Sequence, residues 1–291
     1  MTTGQSEEKI MQQRPFGSTK REVAIIGQGT WNLEHSDAGT AIGALRRGLD
    51  LGMTHIDTAE MYLSGRAEEW VAGAILHRRE EVFLVSKVLP HNASRKGTLR
   101  ACEGSLRRLQ TDRLDCYLLH WPGDHPLNDT IEAFEQLKSE GKILSWGVSN
   151  FDAPDLKEAH RLGGHAGPVC DQVLYHLQER AVEHAVVPWC EQHDAAFVAY
   201  SPLGHGDFPG AHTAPGRLLQ EIAQENHATP RQVALQFLLR WPFSFVIPKS
   251  SDIDHVMENA GAGNLELTSM QMERLNKMFA LGPPRRGIPM L

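Results

Sequence analysis

The chain has 291 residues, of which 41% are hydrophobic and 22% charged, and its formal net charge at pH 7 is −7. This composition can bury a large core, so it excludes a disordered chain, and the acidic balance argues against nucleic acid or an anionic membrane as the main partner. No apolar run approaches the roughly 20 residues of a membrane span. The polar segment 1–10 lacks the apolar centre of a signal peptide, so we expect a cytoplasmic protein.

Cysteine and histidine patterns indicate neither a disulfide framework nor a metal site. The four cysteines are scattered among apolar neighbours without a C-x-x-C pair, which is typical of buried free thiols in a reducing cytosol. None of the 15 histidines forms H-E-x-x-H or H-x-x-x-H. We therefore expect no bound metal.

Short apolar segments typical of strands alternate with amphipathic segments along the chain. In chain order, the predicted strands are 23–30, 53–59, 82–88, 114–120, 144–150, 169–176, 196–203 and 243–250. Apolar residues at three- and four-residue spacing predict helices over 38–52, 67–79, 97–110, 129–142, 153–163, 183–194 and 231–241. Strands that are each followed by a helix predict a parallel sheet, and eight of them predict a closed α/β structure, the (β/α)₈ TIM barrel.

The remaining segments are expected to extend one barrel domain that spans 1–291. Residues up to about 20 are predicted to form a flexible tail or an N-terminal hairpin, and 268–279 an extra C-terminal helix. The segment 204–216 is rich in Gly, Pro and His and follows the seventh strand. It predicts a loop on the C-terminal face of the barrel, where loops carry the chemistry in this architecture.

Titratable residues at neighbouring strand ends point to a catalytic site. Asp57, Lys87 and His120 end the second, third and fourth strands, and Tyr62 lies in the loop after Asp57. Each residue alone has a structural explanation, such as a strand cap, an ion pair or core packing. Together they predict that Lys87, paired with Asp57, lowers the pKa of the Tyr62 phenol towards neutrality. Tyr62 would then protonate a carbonyl oxygen as hydride reaches the carbon, while neutral His120 donates a hydrogen bond to that oxygen.

These residues lie within motifs through which the chain resembles the aldo-keto reductase family. In order, the motifs are "GQGTWN", "HIDTAEMY", "SKV", "LLHWP", "GVSNF", "QVLYH", "AYSPLG", "IPKS" and "EN", and they cover essentially the whole chain. The resemblance implies reduction of aldehydes and ketones by a tetrad of Asp57, Tyr62, Lys87 and His120. The short loop after Trp121 and the short tail are similar to the bacterial branch that reduces small aldehydes, including methylglyoxal.

The resemblance also implies NADPH bound without a Rossmann fold, consistent with a G-x-G-x-x-G pattern that Asn32 breaks. It implies that Ser149, Asn150 and Gln172 bind the carboxamide of the nicotinamide and that Tyr200 stacks on the nicotinamide ring. The further implied cofactor contacts are Thr30, Trp31, Asp57, Ser201, Leu203, Lys249, Ser250, His255 and Asn259, and the implied substrate contacts are Trp31, Tyr62, His120 and Trp121.

One departure from the family concerns His255, on the last barrel helix, where many members have an arginine beside the adenosine 2′-phosphate. An imidazole cannot bind two phosphate oxygens at once, so NADPH is favoured while NADH stays possible. Lys249 and Ser250, which the resemblance assigns to that phosphate, are present.

Two other functions remain open from the sequence. A cofactor-sensing or binding subunit with little turnover would share the fold, although the intact Tyr62 favours the enzyme. A metal-dependent barrel hydrolase or isomerase would need several carboxylates or histidines at strand ends, and Lys87 beside Asp57 would repel a cation. We expect a small carbonyl substrate and a monomer, and the sequence does not identify the physiological substrate.

Overall fold

A short antiparallel hairpin precedes the barrel in the computed structural model, which describes residues 11–164, 167–284 and 286–291. Its strands are β1 (Gln13–Pro15) and β2 (Glu22–Ala24). Between them Phe16 is almost completely buried and packs on Phe83 and Phe245, with ring centroids 4.6 and 5.0 Å away. The predicted hairpin is confirmed and covers the N-terminal end of the barrel, whereas the tail predicted before it falls on residues 1–10, outside the described residues.

Eight parallel strands form the barrel, in the order of the sequence. They are β3 (Gln28–Gly29), β4 (His55–Asp57), β5 (Phe83–Val88), β6 (Cys116–Leu119), β7 (Trp146–Ser149), β8 (Cys170–Leu174), β9 (Ala196–Tyr200) and β10 (Ser244–Val246). Parallel bridges from Ile26 to Val246 and from Gly29 to Lys249 join the first strand to the last. The predicted TIM barrel is confirmed. The first predicted strand is divided, because its beginning pairs with β1 and only its end pairs with β4.

Ten helices lie within the described residues. They are α1 (Ala38–Asp50), α2 (Arg66–Ile75), α3 (Arg95–Leu109), α4 (Leu127–Ser139), α5 (Ala153–Gly163), α6 (Val186–Gln192), α7 (Ala214–Glu225), α8 (Pro230–Leu238), α9 (Ile253–Gly261) and α10 (Ser269–Met278). The predicted C-terminal extra helix is α10. In the described part of the chain, none of them is both long and apolar enough to cross a membrane.

Helix α7 was not predicted, and it shortens the loop expected over 204–216. The Thr213 side chain accepts a hydrogen bond from the Gly216 amide, which caps the helix three residues before the predicted end of the loop. The buried face of α7 includes Leu219 and Ile222 at helical spacing. The sequence pattern for this helix was therefore readable, although the glycines and prolines before it favoured a loop.

A buried histidine interrupts the apolar interior near the N-terminal end of the barrel. His55 is fully buried, and its ring meets those of Phe16, Phe83 and Phe245 edge-on. Neither ring nitrogen has a hydrogen-bond partner among the described residues. Burial, and next the positive charge of Lys87, lower the pKa of His55 to about 3. The ring is therefore neutral in the folded protein at neutral and mildly acidic pH.

We expect the substitution His55→Leu to make folding less sensitive to acid. An unfolded histidine binds a proton near pH 6.5 whereas folded His55 does not, so this residue lowers the free energy of unfolding as pH falls from about 6.5 towards 3. Between pH 7 and 4.5 the contribution is roughly 2–3 kcal/mol. Urea unfolding of both proteins at these two pH values measures it. Replacing the exposed His91 by Gln is the control, and an equal loss of stability in wild type and His55→Leu would contradict the expectation.

Candidate active site

The C-terminal ends of the strands open into a cavity of about 750 Å³. Its lining includes residues from the loops after β3, β4, β6, β7, β9 and β10, together with the first turn of α8 and the first two turns of α9. Among the residues assigned from the sequence, the cavity is lined by Thr30, Trp31, Asp57, Tyr62, His120, Trp121, Ser149, Asn150, Gln172, Tyr200, Ser201, Leu203, Lys249, His255 and Asn259.

The four residues assigned to catalysis meet at the mouth of the barrel. Lys87 Nζ donates to Asp57 Oδ1 at 2.5 Å and to the Thr58 carbonyl at 3.0 Å, and lies 3.3 Å from the Tyr62 hydroxyl. The Tyr62 hydroxyl lies 3.5 Å from His120 Nε2. Lys87 and Asp57 are buried, whereas Tyr62 is half-buried and faces the cavity. A carbonyl oxygen can thus approach Tyr62 and His120 together, while Lys87 acts from beneath.

The position of Tyr62 depends on an unusual backbone turn. It begins the 3₁₀ turn Tyr62–Gly65, in which Leu63 and Ser64 have φ values of 52° and 55°. Such left-handed values are uncommon for residues other than glycine and reverse the chain direction within a few residues. The phenol is thereby placed over the end of β5, next to Lys87.

Gln172 contacts the tetrad in a way that the sequence did not indicate. Its Nε2 donates to Asp57 Oδ2 at 2.7 Å, while the other carboxylate oxygen accepts from Lys87. Both oxygens of this buried carboxylate are therefore hydrogen-bonded, which fixes its orientation. The sequence assigned Gln172 to the carboxamide, and its free amide oxygen remains compatible with that prediction.

The pKa of Tyr62 differs in direction from the prediction. Burial is the largest influence and raises it, and the Asp57 charge also raises it; the charge and hydrogen bond of Lys87 lower it, but the net pKa lies above 10. The prediction of a pKa moved towards neutrality was wrong, because desolvation of the phenolate outweighs the attraction of Lys87. The phenol is consequently protonated at neutral pH, as a general acid must be.

Lys87 and His120 have the protonation states that we expected from the sequence. Burial lowers the pKa of Lys87, but Asp57 and then Tyr62 raise it to a net value above 10.5, so the ammonium is charged. Burial, followed by the charge of Lys87, holds the pKa of His120 well below 6.5, so the imidazole is neutral. Its Nδ1 is buried without a partner in the described part of the chain. If the single proton of the neutral ring is on Nε2, the buried Nδ1 is only an unsatisfied acceptor, which costs less than an unsatisfied donor. The Nε2–H group then points towards the cavity and can donate a hydrogen bond there.

A row of linked polar side chains continues from the tetrad. Ser149 Oγ donates to the Gln172 carbonyl at 2.7 Å, Asn150 Nδ2 donates to the His120 carbonyl at 3.1 Å, and Tyr200 donates to Asn150 Oδ1 at 2.9 Å. Burial raises the pKa of Tyr200 to about 12, so this phenol also stays protonated. These side chains present donors and acceptors, as an amide ligand requires, beside an aromatic ring.

The far end of the cavity lies at α9. Lys249, His255 and Asn259 line it, and His255 is exposed. Ser250 is not among the lining residues, and its hydroxyl accepts a hydrogen bond from the Asp252 amide and donates one to the Asp252 carbonyl, both at 3.0 Å. A role for Ser250 at a phosphate remains a prediction and would require its hydroxyl to leave this turn.

Several cavity residues were not identified from the sequence: Met61, Phe208, Arg231, Glu258, Met290 and Leu291. Glu258 could have been found, since it follows His255 by three positions and therefore lies on the same face of the helix. The others come from loops and from another helix, whose positions no local pattern indicates. Phe208 and Met290 add apolar surface to the cavity that Trp31 and Trp121, two of the implied substrate contacts, also line.

The aldo/keto reductase family model matches residues 25–280. This match covers most of the chain and agrees with the barrel and its mouth, so the chain belongs to the aldo/keto reductase family and is an oxidoreductase of that family.

Individual relatives and solved structures agree. The chain is 41% identical over 271 residues to methylglyoxal reductase YeaE of Escherichia coli strain K12, covering 92% of this chain and 95% of that protein. It is 33% identical over 271 residues to the glyoxal reductase of Bacillus subtilis strain 168, covering 90% and 92%. A crystal structure of an aldo/keto reductase from Klebsiella pneumoniae in complex with NADP and acetate superposes with a TM-score of 0.90 at 40% identity, covering 97% of this chain and all of the other.

Proposed function

We propose that this protein is a cytoplasmic, monomeric NADPH-dependent reductase of small aldehydes and ketones, with 1–291 as one catalytic barrel domain. The observation that carries the proposal is the buried Lys87, paired with Asp57 and within 3.3 Å of a phenol that faces the cavity. A buried, charged lysine in contact with a tyrosine is costly for a structure and suits proton transfer to a reduced carbonyl oxygen.

The residues of the cavity fit NADPH. The cavity runs from the tetrad, past the polar side chains of Asn150 and Gln172, to the basic residues Lys249 and His255. These groups match an amide at one end of a dinucleotide and a phosphate at the other. Two solved structures of aldo-keto reductases from K. pneumoniae, each 40% identical and covering 97% of this chain, contain NADP in one case and NADPH in the other.

Each residue of the tetrad has one role in the mechanism. Bound NADPH supplies the hydride. Tyr62, protonated at neutral pH, donates its proton to the substrate oxygen as negative charge develops there. His120 donates a hydrogen bond to the same oxygen, and Lys87 stabilises the phenolate that Tyr62 becomes. Asp57, held by Gln172, keeps Lys87 charged and in place.

The walls of the cavity favour compact substrates. Only residues 120–126 connect β6 to α4, Trp31 and Phe208 line the cavity, and the Trp121 ring lies 4.8 Å from that of His120. Two of the relatives are named for the reduction of methylglyoxal and glyoxal. We therefore propose small 2-oxoaldehydes and simple aromatic aldehydes as substrates.

We expect kcat/KM for methylglyoxal or benzaldehyde to exceed that for a steroid ketone by about 100-fold or more, because a large rigid ring system loses much of its apolar contact in so short a cleft. Assays of a panel of aldehydes, 2-oxoaldehydes and ketones, each with NADPH and with NADH, measure this ratio. Efficient turnover of a steroid with little turnover of methylglyoxal would contradict it. A cofactor-sensing subunit would instead bind NADPH and reduce none of the panel.

A further inference from the structure

Arg231 lies at the far end of the cavity, in the first turn of α8, and no sequence motif pointed to it. It lines the same space as Lys249, His255, Glu258 and Asn259. Arg231 Nη1 lies 3.4 Å from Glu258 Oε2, and the side chain of Arg231 is 42% exposed. A guanidinium with five donors is thus present where the sequence offered only a lysine and a histidine as cations.

The backbone at Arg231 is held firmly against α9. Thr229 and Gln232 form a reciprocal capping box around the start of α8. Gln232 Nε2 then donates to the Glu258 carbonyl at 2.8 Å. The helices approach so closely that a Cβ on Gly261 would lie 2.3 Å from Gln232 Nε2. The backbone of Arg231 is therefore held in a fixed position at the edge of the cavity.

The side chains around His255 suggest that a phosphate at this end of the cavity needs a second fixed cation besides Lys249. His255 is exposed at the start of α9, and the acidic Asp252 and Asp254 stand beside it in the cap and the first turn. These two carboxylates are not among the lining residues, but their negative charge lies next to His255 and weakens the attraction of this end of the cavity for a phosphate dianion. A planar guanidinium can donate two parallel hydrogen bonds to a phosphate, which an imidazole cannot.

We propose that Arg231 binds the adenosine 2′-phosphate of NADPH and so determines the preference for NADPH over NADH. The proposal rests on the proposed function, since it assumes that this cavity holds NADPH. On binding, the guanidinium exchanges its 3.4 Å contact with Glu258 for the more strongly charged phosphate oxygens. Arg231 in this way supplies the bidentate charge that is absent at His255.

The test is isothermal titration of NADPH, NADH and 2′,5′-ADP into wild type and variants. For Arg231→Ala we expect the Kd of NADPH and of 2′,5′-ADP to rise about tenfold or more, as loss of a charge-assisted hydrogen bond predicts, with the Kd of NADH within about twofold. Arg231→Lys keeps the positive charge but cannot donate two parallel hydrogen bonds, so the Kd of NADPH should rise less than in Arg231→Ala. Arg274→Ala is the matched control, because it removes an arginine that binds Glu221 and Glu225 on α7. It should leave the Kd of NADPH and the Kd of NADH unchanged.

The outcomes separate this inference from the proposed function. Wild type that fails to bind NADPH overturns both. Wild type that binds NADPH while Arg231→Ala leaves the NADPH-to-NADH affinity ratio unchanged overturns the role of Arg231 alone, whether both affinities persist or both fall equally. Thermal unfolding monitors the fold, and if Arg231→Ala is unfolded, the same ratio in Arg231→Gln, which retains much of the aliphatic stem, decides the question.

Discussion

Replacing Tyr62 by phenylalanine is expected to lower kcat for reduction of a small aldehyde by roughly 10²-fold or more. The substitution removes the proton donor but keeps the ring that lies over Lys87, 5.0 Å from the ammonium to the ring centroid. The Kd of NADPH should therefore stay within about twofold, because the shape and charge of the cavity are preserved. Steady-state assays with NADPH and fluorescence titration of the cofactor measure the two quantities separately.

Tyr117→Phe is the matched control for this experiment. Tyr117 packs against Phe134, with ring centroids 5.6 Å apart, and is not among the residues that line the cavity. Loss of its hydroxyl should leave the rate unchanged. If Tyr62→Phe retains most of its turnover with an unactivated aldehyde, Tyr62 is not the acid.

The pH dependence of wild type offers a second check on Tyr62. Because the pKa of Tyr62 lies above 10, the phenol stays protonated up to that value, and deprotonation of Tyr62 should not reduce the rate of carbonyl reduction between pH 7 and 9. The rate should fall only above about pH 10. A fall between pH 7 and 8 that disappears in Tyr62→Phe would show that the phenol titrates near neutrality after all.

Lys87→Met is expected to destabilise the protein by roughly 3–5 kcal/mol and to reduce turnover strongly. The change leaves the Asp57 carboxylate, 2% exposed, without its ionic partner, and it removes the charge that stabilises the Tyr62 phenolate. Folded Lys87 has a pKa above its ordinary 10.5, so the ion pair contributes its full stability at neutral pH and loses it only as pH rises above 10.5. Urea unfolding at pH 7 together with assays of turnover measures both effects.

A second substitution separates stability from catalysis in this pair. Adding Asp57→Asn to Lys87→Met removes the unpaired charge, so most of the lost stability should return while the rate stays low. Lys142→Met, at a surface lysine whose Nζ lies 2.9 Å from Glu103 and 2.8 Å from Glu140, is the control and should have little effect on either quantity. Turnover that recovers together with stability in the double variant would show that Lys87 acts only through the fold.

The sequence by itself determined the barrel and the position of its mouth. Eight apolar segments separated by helical periodicity admit few arrangements, since parallel strands need a right-handed crossover between them and eight strands added in one direction close into a barrel. Asp57 and Lys87 could be placed together for the same reason, because neighbouring parallel strands bring the same ends side by side. The missed helix α7 was an error of interpretation, since its apolar spacing was present behind the glycines and prolines before it.

Only the tertiary structure decided the pKa values in the site and which residues from distant parts of the chain join it. The pKa of Tyr62 depends on how completely the surrounding loops remove water from the phenol, and desolvation prevailed over the attraction of Lys87. Gln172 reaches Asp57 from the far side of the barrel, and Arg231 reaches the cavity only because α8 packs on α9. Local sequence patterns record which face of an element is buried, but the distance between two side chains from distant parts of the chain is a property of the packed whole.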